Sequence, residues 1–300
     1  MEPTTNKHYF LFFILIVIAL EAILFSVGNY KWNASLQNEE MKAEEIRNAF
    51  ENISIEAQAF SVYDQTQKKK IYGKNDNVTM PIASLTKIMT VAVALNNHSL
   101  EDVVAVSPEA IKQDGDYGFF VGEKFKVEEL AKFTLVGSVN DGAYLMAEKP
   151  DDFLIQMNSK AQRIGMENTL FLNATGLDFN DQFAGAYASA ENVNIMALYA
   201  FLGHRGVFSA SAMPEISIKS ESGFHHSIKN TNYITEKISN LLFSKTGFTP
   251  LSGGNLTIIY RDKYEHDIVI TVLGSTMEGR FSDMEKIIDT LYNLDYGGSK

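Results

Sequence analysis

The sequence predicts an α+β fold, and three observations carry that prediction. Strand patterns lie near the start and again in the last third, helical patterns fill the region between them, and an amphipathic helix closes the chain. From Ile53 the chain alternates, with Ile53, Ile55, Ala57 and Ala59 against Ser54, Glu56 and Gln58, the pattern of a half-buried strand. Asp64-Gln65-Thr66-Gln67 turns it, and Lys68 to Tyr72 returns as the hairpin partner. After Pro81 and Ala83 the run Ile88, Met89, Val91, Ala92, Val93, Leu95 is apolar on nearly every side, so this helix is expected to be buried. Val127–Glu148 reads as a helical stretch broken at residues 137–142, and Phe153–Ile164 and Ser189–Leu202 as further helices. Leu256–Tyr260 and Ile268–Leu273 are β-branched runs joined across Arg261–Glu265, an antiparallel hairpin, and Phe281–Asn293 is the last helix. Strands at both ends with helices between put residues 53–296 in one domain whose sheet joins the two ends.

Three hundred residues with 45% hydrophobic and 21% charged side chains have ample material for a core. The net charge of −11 argues against a nucleic-acid partner. There is no cysteine, so disulfides, thiol catalysis and thiolate metal sites are excluded. The six histidines show no metal spacing, and His225-His226 reads as a loop pair; neither a metal nor a cofactor is expected.

Residues 9–27, Tyr9 to Val27, are apolar except for Glu21 and Ser26. At about 1.5 Å per residue the run just spans a bilayer core of about 30 Å. It reads as a transmembrane anchor or as a signal segment, with residues 1–8 a cytoplasmic N-terminus. Tyr9 and Trp32 flank it as interfacial aromatics do, which favours the anchor. Either reading exports the domain. Residues 28–52 are polar and read as a linker or a short exposed helix.

Ser84 stands at the expected start of the buried helix with Lys87 one turn later, on the same face. A serine hydroxyl needs a base to take its proton, and a lysine is that base only where its pKa is lowered. A helix N-terminus also offers N–H groups to an oxyanion. Ser138-Val139-Asn140 in the helix break and Lys245-Thr246-Gly247 after a short apolar strand complete a trio. Ser-x-x-Lys, Ser-x-Asn and Lys-Thr-Gly each occur once, in that order. Each is weak alone, since Ser84 could be a helix cap, Ser138 and Asn140 turn chemistry and Lys245 an edge-strand lysine; together they are the trio of serine β-lactamases and penicillin-binding proteins.

The wider chain resembles the low-molecular-mass penicillin-binding proteins, the serine-type D-alanyl-D-alanine carboxypeptidases of peptidase family S11, over roughly residues 53–296. Residues 83–90, 138–143, 157–161, 165–169, 173–177, 230–232 and 245–249 carry the likeness. The resemblance implies a β-lactamase/transpeptidase-like fold, a five-stranded, largely antiparallel sheet covered by helices, with a helical lobe supplying Ser138 and Asn140. It implies that Ser84 attacks the carbonyl between two D-alanines, that Lys87 accepts its proton, and that Ser138 passes a proton to the departing nitrogen. Asn140 would hold the substrate amide, and Lys245 and Thr246 the terminal carboxylate. Gly247 would let substrate lie along the strand edge, and the N–H groups of Ser84 and Phe248 would form the oxyanion hole. The implied partners are a peptidoglycan stem peptide ending in D-Ala-D-Ala, β-lactam antibiotics as covalent inhibitors, and a membrane through residues 9–27.

The middle motif of that family is usually Ser-Gly-Asn, and here Val139 takes the variable place. After the last helix the chain is expected to lack the extra C-terminal β domain and amphipathic helix of many relatives. A β-lactamase is the nearest rival. Class A members place a deacylating water with Glu-x-x-x-Asn, and Glu236–Asn240, the only such match between the second and third motifs, lies too close to Lys245 to serve. An endopeptidase or transpeptidase would share the acylation step. A non-catalytic wall-binding sensor would have no chemical need for Ser84, Lys87, Ser138 and Lys245 together.

Overall fold

The computed structural model describes residues 5–296, so part of the stretch 1–8 expected in the cytoplasm lies outside the described residues. The chain divides into two units, Met1–Asn52 and Ile53–Lys300.

The first unit is one helix, α1 (Thr5–Glu51). Residues 28–51, expected as a linker or a short exposed helix, are part of this helix. The reason is visible in the residues: no proline interrupts 29–51, and Leu36, Gln37, Met41, Ala43, Glu44 and Glu45 are good helix formers. Apolar side chains of the run 9–27 stand exposed, Tyr9 at 74% and Leu24 at 71%. Among the described residues no helix is long and apolar enough to cross a membrane.

The second unit begins with β1 (Ala59–Asp64) and β2 (Lys69–Lys74), the expected hairpin. The strand starts later than the alternation from Ile53 predicts. Asp283 takes the backbone N–H groups of Glu56 and Ala57 at 3.0 and 2.8 Å, so a carboxylate replaces the neighbouring strand there. Next come β3 (Met80–Pro81), a 3-10 turn at Ala83–Leu85, and α2 (Thr86–Asn97). Every α2 residue from Thr86 to Leu95 is buried. After β4 (Val103–Ala105) and β5 (Lys124–Lys126), helices α3 (Val127–Gly137), α4 (Asn140–Ala147) and α5 (Phe153–Arg163) pack around α2. The break expected at 137–142 falls between α3 and α4.

Strands β6 (Leu170–Phe171) and β7 (Ala186–Ala188) pair beside β3. Helix α6 (Ala190–Gly203) starts at the cap Ser189, whose hydroxyl accepts the Asn192 N–H, and is followed by α7 (Arg205–Phe208). A ribbon of β8 (Glu215–Lys219) and β9 (His225–Lys229) comes next. His225 and His226, expected in a loop, are paired strand residues opposite Lys219 and Ile218. The polar ribbon alternates too briefly to stand out from a loop.

The chain ends in β10 (Leu241–Thr249), β11 (Gly253–Arg261), β12 (Asp267–Ser275) and α8 (Gly279–Asn293). The main sheet runs β10-β11-β12-β1-β2 and every pairing is antiparallel. Ala59 opposes Leu273 and Val62 opposes Ile270, so β1 joins the C-terminal hairpin as expected. Nearly all of β11 and β12 is buried, with α6 and α8 packed on them, which covers the sheet on both faces. β10 is left as an edge, and the 3-10 turn at Ala83–Leu85 lies against it.

Candidate active site

The turn before α2 is held in an unusual backbone shape. Ala83 has φ of 46°, the left-handed region that an alanine enters at a cost on the order of 1 kcal/mol. Its carbonyl accepts the Thr86 hydroxyl at 2.7 Å, and the Leu85 N–H reaches the Ile82 carbonyl at 3.2 Å. Gly176 presses on the same carbonyl so closely that a methyl group there would lie 2.0 Å from it. Ser84 is thus presented, half-buried, on a turn braced from several sides.

Lys87 is fully buried one turn on, and its Nζ has three oxygens in reach: Ser84 Oγ at 2.9 Å, Asn140 Oδ1 at 2.7 Å and the Thr175 carbonyl at 2.7 Å. A neutral amine has two N–H donors and one lone pair. Asn140 Oδ1 and the Thr175 carbonyl only accept, so they take the two donors and leave the lone pair for the Ser84 hydroxyl. Burial lowers the Lys87 pKa to about 7. The geometry and the burial therefore both favour an amine able to receive the serine proton.

Asn140 opens α4, two residues after Ser138, whose φ of 58° ends α3 in the left-handed region. The Asn140 Nδ2 donates to the Asp114 carbonyl at 2.6 Å. That bond commits the amide end outward and the oxygen end to Lys87, and leaves one N–H for another partner.

Lys245, Thr246 and Gly247 lie on the edge strand β10. Lys245 is 1% exposed, and the Thr246 and Thr231 hydroxyls are 2.6 Å apart. A methyl group at Gly247 would lie 2.8 Å from the Ile82 carbonyl and 3.2 Å from the Ser84 nitrogen, so a side chain would force the strand away from the serine turn. Phe248 follows, 40% exposed. From α8, Arg280 Nη1 donates to the Gly247 carbonyl at 2.8 Å, while its buried Nε has no protein partner. Burial lowers the Lys245 pKa well below its ordinary value, and repulsion by Lys87 and then Arg280 adds to this. Two desolvated ammonium groups cannot both hold their protons cheaply. A serine, a buried amine and a second buried lysine thus lie together beside the edge strand β10, an arrangement chemically able to carry out acyl transfer.

The chain matches the family described as D-alanyl-D-alanine carboxypeptidase over residues 44–276. It belongs to that family. Among relatives of this D-alanyl-D-alanine carboxypeptidase family, the carboxypeptidase DacF of Bacillus subtilis is 27% identical over 251 residues, 80% of this chain and 63% of the relative. A D-alanyl-D-alanine endopeptidase of Pseudomonas aeruginosa is 30% identical over 207 residues, 64% of this chain and 63% of the relative. The chain spans about three fifths of the length of these two. Penicillin-binding protein D2 of Listeria monocytogenes, in its ampicillin-bound form, superposes with a TM-score of 0.66 at 26% identity, covering 80% of this chain and 98% of that one. The Streptomyces K15 DD-transpeptidase shares the fold, with a TM-score of 0.72 over 81% of this chain and 99% of that one at 23% identity. The β-lactamase/transpeptidase-like α+β fold expected from the sequence is the fold observed.

Hydrogen bonds join Ser84, Lys87 and Asn140, and close approach joins Gly247 to Ser84. Ser138 sits at the same helix junction as Asn140, and Thr246 and Phe248 flank Gly247 on β10. Glu236 is exposed, on a 3-10 turn at Thr235–Lys237. Three contributors carry no signal in the motifs. The carbonyls of Thr175 and Asp114 act through the backbone, which any residue supplies. Arg280 arrives from α8, outside every motif. Among the described residues no group of His, Asp or Glu is arranged to hold a metal ion.

Proposed function

We propose that this chain is a serine-type D-Ala-D-Ala carboxypeptidase acting on peptidoglycan stem peptides. The observation that carries the reading is the set of three contacts at Lys87 Nζ, which leaves a lone pair facing the Ser84 hydroxyl. Ser84 Oγ gives its proton to Lys87 and attacks the carbonyl between the two D-alanines. The oxyanion takes the N–H groups of Ser84 and Phe248. The C–N bond then breaks, Ser138 passes a proton to the departing D-alanine nitrogen, and water releases the acyl group from Ser84. Asn140 offers its remaining N–H to the substrate amide. Lys245 and Thr246 hold the terminal carboxylate, with Arg280 adding positive field beside Gly247. Because Lys245 is held below its ordinary pKa, an arriving carboxylate supplies the counter-charge it lacks, and binding draws in a proton. A β-lactam enters by the same attack, but its leaving nitrogen stays tethered by the ring, so the covalent adduct persists.

The endopeptidase relative of Pseudomonas aeruginosa supports a second reading, cleavage of a D-alanyl cross-link by the same acylation step. For location, the exposed apolar side chains of α1 between Tyr9 and Val27 support association of the N-terminal helix with a membrane. The deciding assay is D-alanine release from an acylated peptide ending in D-Ala-D-Ala by the full chain in detergent, beside Ser84→Ala. Release by the parent that vanishes in the variant is expected. Cleavage confined to cross-linked peptides would select the endopeptidase, and no cleavage of either by a folded chain would overturn both readings.

A further inference from the structure

The helical lobe holds a buried polar pair that the proposed chemistry does not use. His226 on β9 is ringed by phenylalanines, with centroids at 5.3 Å for Phe119, 5.5 Å for Phe125 and 6.2 Å for Phe133. Its Nε2 lies 2.8 Å from Glu123 Oε1. Glu123 is 3% exposed and His226 9%. Each is desolvated, and each is the other's chief compensation. The second oxygen of Glu123 accepts the Phe120 N–H at 3.2 Å. An aromatic cluster would pack as well with an apolar residue at either place, so the pair calls for a reason beyond packing.

What the pair holds is the segment 113–123. At its far end Gly122 and Glu123 exchange backbone hydrogen bonds of 2.8 Å with Val106, and Phe119 stacks on Phe125 at 4.7 Å. The tip of the β8–β9 ribbon closes on the residue that follows the segment, with Lys124 N–H to Ser222 Oγ at 3.0 Å and Glu221 N–H to the Lys124 carbonyl at 2.8 Å. At its near end the segment touches the active site twice. The Asp114 carbonyl takes the Asn140 amide at 2.6 Å, and the Tyr117 hydroxyl lies beside the Asn140 backbone. A carboxamide has one donor end and one acceptor end, so fixing the donor end decides which end faces Lys87.

We infer that His226 and Glu123 are positioning residues: their buried hydrogen bond pins segment 113–123, and that segment, through Asp114 and Tyr117, fixes Asn140 with its oxygen on Lys87. The inference rests on acyl transfer at Ser84 as proposed above. It places His226 of the β8–β9 ribbon, outside all three motifs, in control of the base.

The test is acylation of the full chain in detergent by a fluorescent penicillin, resolving the binding constant from the acylation rate constant. The variants are Tyr117→Phe, His226→Gln, Glu123→Gln and the double Tyr117→Phe/His226→Gln. Tyr117→Phe leaves the buried pair intact, so it reads the link even where a change at His226 harms folding. Tyr117→Phe and His226→Gln are each expected to slow acylation by about tenfold or more, with binding changed by less than about twofold. The double variant is expected to be no slower than the worse single one, because both act through one carboxamide. Glu123→Gln keeps a hydrogen bond to His226 and is expected to retain most of the rate. Folded variants that acylate like the parent, or single losses that multiply in the double variant, overturn this inference alone. A parent chain that takes no penicillin overturns it together with the acyl-transfer reading.

Discussion

In the proposed reaction Lys87 has to be neutral to accept the serine proton, and the groups bonded to its amine include no carboxylate that would hold its proton. Burial sets its pKa at about 7. Below that pH the amine is protonated and cannot accept from Ser84, so penicillin acylation is expected to rise with pH and level off above about 7. A flat profile between pH 5 and 9 would show that Lys87 is not the base. Lys245 works in the opposite sense. It is depressed in the empty site and needs a proton to meet a carboxylate, so KM for a D-Ala-D-Ala peptide is expected to rise with increasing pH while the acylation step gains. Lys245→Ala should therefore act mainly on binding, raising KM by about tenfold or more, with a smaller effect on the acylation rate at saturation, checked by steady-state and stopped-flow kinetics. At this scale the sequence was informative: Ser84, Lys87, Asn140 and Gly247 were all chosen from motif and spacing, and they converge. What it could not reveal is the contribution of backbone carbonyls. Thr175 and Asp114 act through an atom common to every residue, and only the fold brings it into range.

Among the elements, the 3-10 turn and the strand edge it faces have the least freedom. Gly176 has φ of 79° and no room for a methyl group against Ala83. Gly176→Ala is expected to cost on the order of 3 kcal/mol, a Tm lower by roughly 5–10 °C, and to slow acylation as the serine turn shifts. A variant with the parent's Tm would mean that the loop yields without strain. Gly247→Ala is expected to lower Tm, since a methyl group there meets the backbone of the serine turn, and to lower kcat/KM by about tenfold or more by crowding Ser84. The elements with strong periodicity (α2, α3, α5, α6 and the β11–β12 hairpin) were legible because each buries one continuous apolar face or run. The β8–β9 ribbon was not: it is short, its outward face is polar, and His226 owes its burial to phenylalanines from other elements. The start of β1 was misplaced for a related reason, since alternation from Ile53 cannot show that Asp283 rather than a strand takes those amides.

For the molecule as a whole, the N-terminal helix and the unit that carries the candidate site have separate expected roles. Removing residues 1–28 is expected to shift the protein from the membrane fraction to the soluble one and to leave penicillin acylation within about twofold, because every residue placed at the site lies in Ile53–Lys300. Fractionation of cells expressing each form, followed by penicillin labelling, checks both halves. A truncated form that stays with membranes would show that contacts of the second unit, and not the apolar helix, hold it there.

The sequence by itself determined the family, the α+β class and which serine, lysine and strand-edge residues are candidates for the site, because side-chain chemistry at set spacings leaves a local trace. Only the tertiary structure decided the protonation environment of Lys87, the orientation of Asn140, the arrival of Arg280 beside Gly247 and the burial of His226 with Glu123. Those depend on desolvation and on hydrogen bonds between segments far apart in the chain, for which no local pattern exists until the chain has folded.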